Sequence, residues 1–263
     1  MISNAKTEVR KFLENRKIGR NIDVIESDVY LVSYPKSGNT WLRFLIGNII
    51  SDDFNFTNMN SLIPDIYKIR NKDLKKFESP RILKSHEYFD PRYKKVVYIV
   101  RDPRSVCVSY YEYLKKMNKI KDNLSMDVFV DNYIKGNYDP YGSWKENVGS
   151  WMGSCKDSDK FLLVRYEDLK EDTSKHLRNI LNFMNIDYTE EKLSCAIEKS
   201  SFKKMRANEI ENKKQIKALK NSRQNMHFVR KGETNEWMKT LSQENQNKIC
   251  EAFESTLKDL GYI

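Results

Sequence analysis

Three short constellations in this sequence carry side chains suited to holding and transferring an anionic group. The first is Ser33-Tyr-Pro-Lys-Ser-Gly-Asn-Thr-Trp41. A glycine at the turn lets the backbone curl so that successive amides point inward. A following helix adds the positive end of its dipole, and Lys36 supplies a full charge, which together make an anion cradle. It is not a Walker A loop: that motif ends Gly-Lys-Ser/Thr and uses the hydroxyl to hold magnesium, whereas here Lys36 precedes Gly38. Lysine-bearing loops also occur without any phosphate, so this one needs support from elsewhere.

The second constellation is Arg101 with Ser109, eight residues on and about two helical turns away. An arginine fork beside a hydroxyl suits a terminal phosphate. The alternative is that Arg101 pairs with Asp102 or another acid at the sheet edge. The third is Lys84-Ser-His86, following the apolar pair Ile82-Leu83. A histidine just past a strand end can face a ligand crevice as a general base. Of the other histidines, His176 lies in a polar helical stretch and His227 in a basic segment, and both read as surface residues. A lone histidine is more often structural than catalytic, so His86 draws its weight from its company.

These residues need a scaffold, and the pattern of the chain predicts one. Residues 28–33 read as a short strand, followed by the Pro/Gly loop and a helix over Trp41–Ile50. Residues 96–100 repeat the strand, with Asp102 as N-cap and Pro103 at the first position of a helix over residues 104–117. A third strand over residues 161–164 leads through Tyr166-Glu-Asp into a helix from Asp172 to Met184. Alternating strands and helices predict an α/β fold, a three-layer sandwich with a central parallel sheet. Residues 5–17 read as an N-terminal helix and residues 242–260 as a C-terminal one. Residues 51–80 read as a long loop with a helical turn or two, and residues 118–150 as a wall over the sheet's carboxyl edge. No repeat or linker divides the chain, so residues 1–263 are expected to form one domain.

Composition narrows the class further. The chain has 263 residues and is 39% hydrophobic, enough for a sizeable core. Its formal charge is +10, which suits an anionic ligand, a nucleic acid or an acidic membrane surface. Between Lys203 and Lys231 there are ten basic side chains against two acidic ones, so most of the excess sits late in the chain. A solvated helical face is the plain alternative there. Four dispersed cysteines show no metal-ligand spacing, and no apolar run fits a signal peptide or a membrane span. The expectation is a soluble, cytoplasmic protein without a metal.

Taken in order, these pieces resemble the cytosolic sulfotransferase family. Residues 33–41 look like its 5′-phosphosulfate loop, and Arg101-Asp-Pro-Arg-Ser-Val-Cys-Val-Ser109 looks like its 3′-phosphate motif. Phe228-Val-Arg-Lys-Gly232, followed by Trp237, resembles its closing motif, while Tyr166-Glu-Asp and Ser200-Ser-Phe202 resemble shorter signatures. The resemblance runs from residue 29 to about 240. It implies the P-loop-like sulfotransferase fold and 3′-phosphoadenosine-5′-phosphosulfate (PAPS) as co-substrate, with no metal. Lys36, Ser37, Gly38, Asn39, Thr40 and Trp41 would hold the phosphosulfate. Arg101 and Ser109 would take the 3′-phosphate, and Tyr166, Ser200 and Phe202 the nucleoside. Val229, Arg230, Lys231 and Gly232 would close over it. His86 would be the base, with Lys36, Lys84 and Ser109 completing the catalytic set. The implied partner is a small-molecule or carbohydrate acceptor, not a nucleic acid or a membrane.

The sequence also departs from that pattern. Thr-His-Leu-Pro becomes Ser85-His-Glu-Tyr88, and Gly-Asp-Trp becomes Asn235-Glu-Trp237. The family's dimer motif is not clear around residues 239–244, which leaves the oligomeric state open. Candidate acceptor-pocket residues are Phe54, Phe56, Tyr88, Tyr110, Tyr141 and Trp144. The rival classes are a nucleotide kinase, a polyanion binder using the basic segment, and an inactive PAPS-binding protein.

Overall fold

A computed structural model describes residues 20–156, 158–216, 219–230 and 232–263. The helix expected over residues 5–17 and the expected ligand Lys231 lie outside them. Four strands, β1 (Val29–Val32), β2 (Ile82–Ser85), β3 (Lys95–Val100) and β4 (Phe161–Arg165), form a parallel sheet in the order β2-β1-β3-β4. The described helices are α1 (Asn39–Ile50), α2 (Met59–Leu62), α3 (Asn71–Leu74), α4 (Pro103–Lys116), α5 (Met126–Ile134), α6 (Trp144–Cys155), α7 (Tyr166–Glu171), α8 (Thr173–Met184), α9 (Glu190–Lys199), α10 (Phe202–Asn212), α11 (Trp237–Thr240) and α12 (Gln243–Asp259).

Successive strand side chains point to opposite faces, so each strand feeds two layers. Val29 and Leu31 of β1, with Val97 and Ile99 of β3, pack against Leu42 and Leu45 of α1, Leu177 and Leu181 of α8, and Leu193 of α9. Tyr30, Val32, Val96 and Tyr98 face the other way, onto Phe129 of α5, Trp144 and Trp151 of α6, and Phe253 of α12. A parallel sheet covered on both faces is the expected three-layer sandwich.

The cap expected at Asp102 is present, and two further helices start on capping side chains not singled out from the sequence. The Asp102 side chain accepts from the Arg104 amide, with Pro103 at the first turn of α4. Asp172 caps α8 and Ser242 caps α12. At the amino end of β1, Arg81 grips Asp28 through two hydrogen bonds, 2.7 Å from Nε and 2.6 Å from Nη2. Both side chains are almost wholly buried, which makes this pair sensitive to loss of either partner.

Candidate active site

The register of the sheet lines up the three constellations. β1 runs into the loop holding Lys36, β2 into His86 and β3 into Arg101, and these strands are adjacent in the order β2-β1-β3. The Ser33 amide donates to the Ser85 carbonyl at 3.3 Å, so the cradle and the histidine leave the sheet from neighbouring strand ends. A cleft of about 500 Å³ opens over this carboxyl edge, where open α/β sheets place their ligands. Lys36, Gly38, Asn39, Thr40, Trp41, Lys84, His86, Arg101, Ser109, Tyr166, Phe202, Val229, Arg230 and Gly232 all line it. Ser37 and Ser200 do not: both are fully buried behind the wall. Ser200 acts there through its carbonyl, which accepts from the Trp41 indole at 3.1 Å.

The cradle is held in a backbone shape that few side chains adopt. Lys36 has φ +69° and Gly38 φ +103°, left-handed values that are costly for a residue with a Cβ. Asn39 pins the loop back on the sheet, its Nδ2 donating to the Leu31 carbonyl at 3.0 Å. Lys36 Nζ sits 4.3 Å from the Tyr113 ring centre and 4.6 Å from that of Phe228. Burial, with Arg101 and Arg230 adding repulsion, lowers its pKa to about 7. A cation held in that state gains most from an arriving anion.

Arg101 does not pair with Asp102. Asp102 is engaged by Arg104 at 2.7 Å, while Arg101 Nη2 donates to the Glu233 carbonyl at 2.7 Å. Its guanidinium lies 4.3 Å over the Tyr166 ring, and its Nε is buried without a hydrogen-bond partner. An unmatched buried donor on a cleft wall that Ser109 and Arg230 also line fits a phosphate oxygen. Trp41 meets Tyr166 edge-on at 5.4 Å, and these rings with Phe202 fit a flat base. Arg230 is turned onto Glu236, the residue that replaces the family's Asp, with Nη1 2.6 Å from Oε1.

His86 has a defined tautomer. Its Nδ1 is 2.6 Å from the Ser33 carbonyl oxygen; a carbonyl can only accept, so Nδ1 carries the proton and Nε2 keeps its lone pair. Burial, with Lys84 close by, holds the imidazole pKa well below its ordinary value. Lys84 Nζ pairs with Asp65 at 3.3 Å and lies 4.8 Å over the Tyr67 ring. Burial lowers its pKa to about 8 despite Asp65. The Tyr67 hydroxyl accepts from the His86 amide at 2.8 Å.

Asp65 and Tyr67 were not foreseen, because residues 51–80 carry no periodicity to place them. A single bridge between Asp65 and Lys84 brings them in. Among the expected pocket aromatics, Phe56, Tyr110 and Tyr141 line the cleft. Phe54 packs against Phe44, Trp144 is a core side chain bonded to the Arg101 carbonyl, and Tyr88 stands off the wall. His176 and His227, the two histidines expected at the surface, are both partly exposed. In the basic segment Lys203, Lys204, Lys214 and Lys220 are exposed. Arg206, by contrast, turns inward onto the Val229 carbonyl, while Lys213 and Arg223 fold back at the surface onto the Gln224 carbonyl and the Asn118 side chain.

A parallel sheet whose edge carries an anion cradle, an arginine–hydroxyl pair and a neutral histidine is equipped for group transfer from an anionic donor. The family model described as a sulfotransferase domain matches residues 26–261, and the chain belongs to the sulfotransferase family. It is 29% identical over 256 residues to sulfotransferase 2B1 of Mus musculus, covering 90% of this chain and 72% of that one. It is 31% identical over 227 residues to sulfotransferase 2A6 of Rattus norvegicus, covering 81% and 78%. Among solved structures, mouse sulfotransferase SULT7A1 complexed with PAP superposes with a TM-score of 0.75 at 26% identity, covering 96% of this chain and 91% of that one. A retinol dehydratase bound to androsterone and inactive cofactor PAP shares the fold, with a TM-score of 0.77 at 21% identity and coverage of 95% and 86%.

Proposed function

We propose that this chain transfers a sulfuryl group from PAPS to a hydroxyl, or an amine, of a small-molecule or carbohydrate acceptor, with His86 as general base. One observation carries the reading. The same cleft holds a histidine with its Nε2 lone pair available, two desolvated lysines, and an arginine with a buried unmatched donor. Lys36 and the amides of the cradle would bind the phosphosulfate, and Arg101, Ser109 and Arg230 the 3′-phosphate. Trp41, Tyr166 and Phe202 would hold the adenine. Lys231 and Gly232 complete the assignment for the closing motif, and Ser37 and Ser200 support the loop and Trp41 from behind.

In the proposed step the acceptor oxygen forms a bond to sulfur while the bond from sulfur to the 5′-phosphate oxygen breaks. The acceptor's proton passes to His86 Nε2. Lys36 and Lys84 meet the charge that builds on the transferring group and the departing oxygen. Positioning and electrostatics do the work, as in in-line phosphoryl transfer. The acceptor end, with Tyr67, Tyr141 and Asp65 near His86, carries polar groups and suits a small hydroxylated ring. We read the chain as one domain of a cytoplasmic enzyme.

Transfer of labelled sulfuryl group from PAPS to a panel of phenols, alcohols, sugars and amines, with EDTA present, tests this reading. Turnover in chelator is expected. Loss of activity restored by magnesium, or transfer from ATP in place of PAPS, overturns it in favour of a kinase. Calorimetry adds the donor arm: adenosine 3′,5′-bisphosphate (PAP) should bind far more tightly than AMP, since losing a charge-assisted contact of this kind costs about 2 to 5 kcal/mol.

A further inference from the structure

Residues 223–230 have no helix or strand of their own, yet they deliver Phe228, Val229 and Arg230 to the cleft wall. Their backbone groups must be satisfied by something else. Glu209 of α10 supplies two acceptors. It is fully buried, its Oε1 accepts from the Phe228 amide at 2.6 Å, and its Oε2 accepts from the Val229 amide at 2.7 Å. Arg206, one turn earlier on the same helix, supplies donors: Nε to the Val229 carbonyl at 2.6 Å, and Nη2 to the Arg230 carbonyl. From the end of α4, Lys116 Nζ donates to the Met226 carbonyl at 2.7 Å and to the Arg223 carbonyl at 3.3 Å. Both hydrogen bonds that Glu209 accepts come from main-chain amides, so it holds the segment from behind, and its charge also reaches Lys36.

We propose that Glu209, backed by Arg206, is the positioning residue that sets the closing segment over the donor's 3′-phosphate. The inference rests on the assignment of Arg230 to that phosphate. A carboxylate is the side chain this place requires. Two consecutive amides point at it, and only an ionised acid offers an acceptor to each without a donor of its own. Two such charge-assisted bonds fix the Phe228–Val229 peptide, and that peptide in turn aims Arg230 and sets Phe228 against Lys36. Without the clamp the segment must be ordered when the donor binds, and affinity falls by the fraction of molecules already ordered.

The test is Glu209→Gln, which keeps the shape but turns one acceptor into a donor facing an amide. Donor KM should rise about 10- to 100-fold, as expected from a tenfold change per 1.4 kcal/mol and a lost charged hydrogen bond. The acceptor KM and the kcat at saturating donor should change less than threefold. The PAP dissociation constant should rise in parallel while that of AMP stays put, and hydrogen exchange at the 228–229 amides should quicken until PAP is added. Arg206→Gln should reproduce the direction. A variant with a lower Tm but unchanged donor KM, or an equal loss for PAP and AMP, overturns the proposal. Should wild type fail to distinguish PAP from AMP, the 3′-phosphate assignment falls instead, and the exchange measurement still judges the clamp. If Glu209→Gln does not fold, Glu209→Asp, too short to span both amides, is scored by the same measurements.

Discussion

The imidazole of His86 is tied through Nδ1 to the carbonyl oxygen of Ser33, 2.6 Å away, the residue with which the anion cradle begins. The base and the donor loop therefore share a hydrogen bond across two strands. On the proposed reading, His86→Ala should lower kcat by about 10² to 10⁴, the usual range for loss of a general base. PAP affinity should barely change. Single-turnover transfer with saturating donor measures this, and near-wild-type rates would make His86 structural. Because the imidazole pKa lies below 6.5, the neutral form persists into mild acid. The acidic limb of kcat should fall below pH 6.5, lower than an unperturbed histidine would place it.

Lys36 gives the opposite limb. With its pKa lowered to about 7 before the donor binds, it is mostly neutral at pH 8 and must gain a proton to meet an anion. Donor binding should take up about one proton at pH 8, and affinity should weaken as pH rises through that range. Calorimetry in two buffers of different ionisation enthalpy reads the uptake directly. Lys36→Met should remove it and also weaken both PAP binding and turnover.

Two glycines should respond to alanine with opposite signs. At Gly38, φ is +103° and a new Cβ would stand 2.5 Å from Tyr166 Cδ2. Gly38→Ala should cost about 1 to 3 kcal/mol and displace the ring beneath Arg101. Gly149 lies inside α6 with nothing within 4 Å of the new atom. Gly149→Ala should stabilise by about 0.5 to 1 kcal/mol. Denaturant midpoints for the pair, with PAP binding for the first, check both.

Asp28→Asn removes a charge from a buried pair at the end of the sheet opposite the cleft. It should destabilise by about 3 to 5 kcal/mol while the folded fraction keeps its donor KM. A shift in donor KM equal to that of a cleft variant would show that the two ends of β1 are coupled.

The sequence carried the layers of this fold because the signals were local: apolar runs at strand length, Asp102-Pro103 at a helix start, and the apolar spacing of residues 242–260. It carried the cleft's donor side for the same reason, since residues 33–41 and 101–109 are continuous segments. What it could not show were partners met only across space. Asp65 reaches Lys84 from an unpatterned stretch, and Ser200 turns out to hold Trp41 by its carbonyl, which no side-chain pattern encodes. The charge run after residue 203 misled in one respect. A count of lysines and arginines does not say which of them hold main chain, as Arg206 and Lys213 do. Glu209 did leave a trace, as one of two acids among ten bases, but only the amides of Phe228 and Val229 explain it.

The adjacency of the Ser33 and Ser85 strand ends has a consequence for how such a protein can change. The donor loop and the base are anchored in the sheet itself, whereas Asp65, Tyr67, Asp139 and Tyr141 arrive on connections, residues 51–80 and 118–142, that form no strand. Those two connections can be lengthened, shortened or exchanged while the sheet keeps its register. Grafting them from a relative should transplant acceptor preference as a cassette and leave donor handling with the recipient.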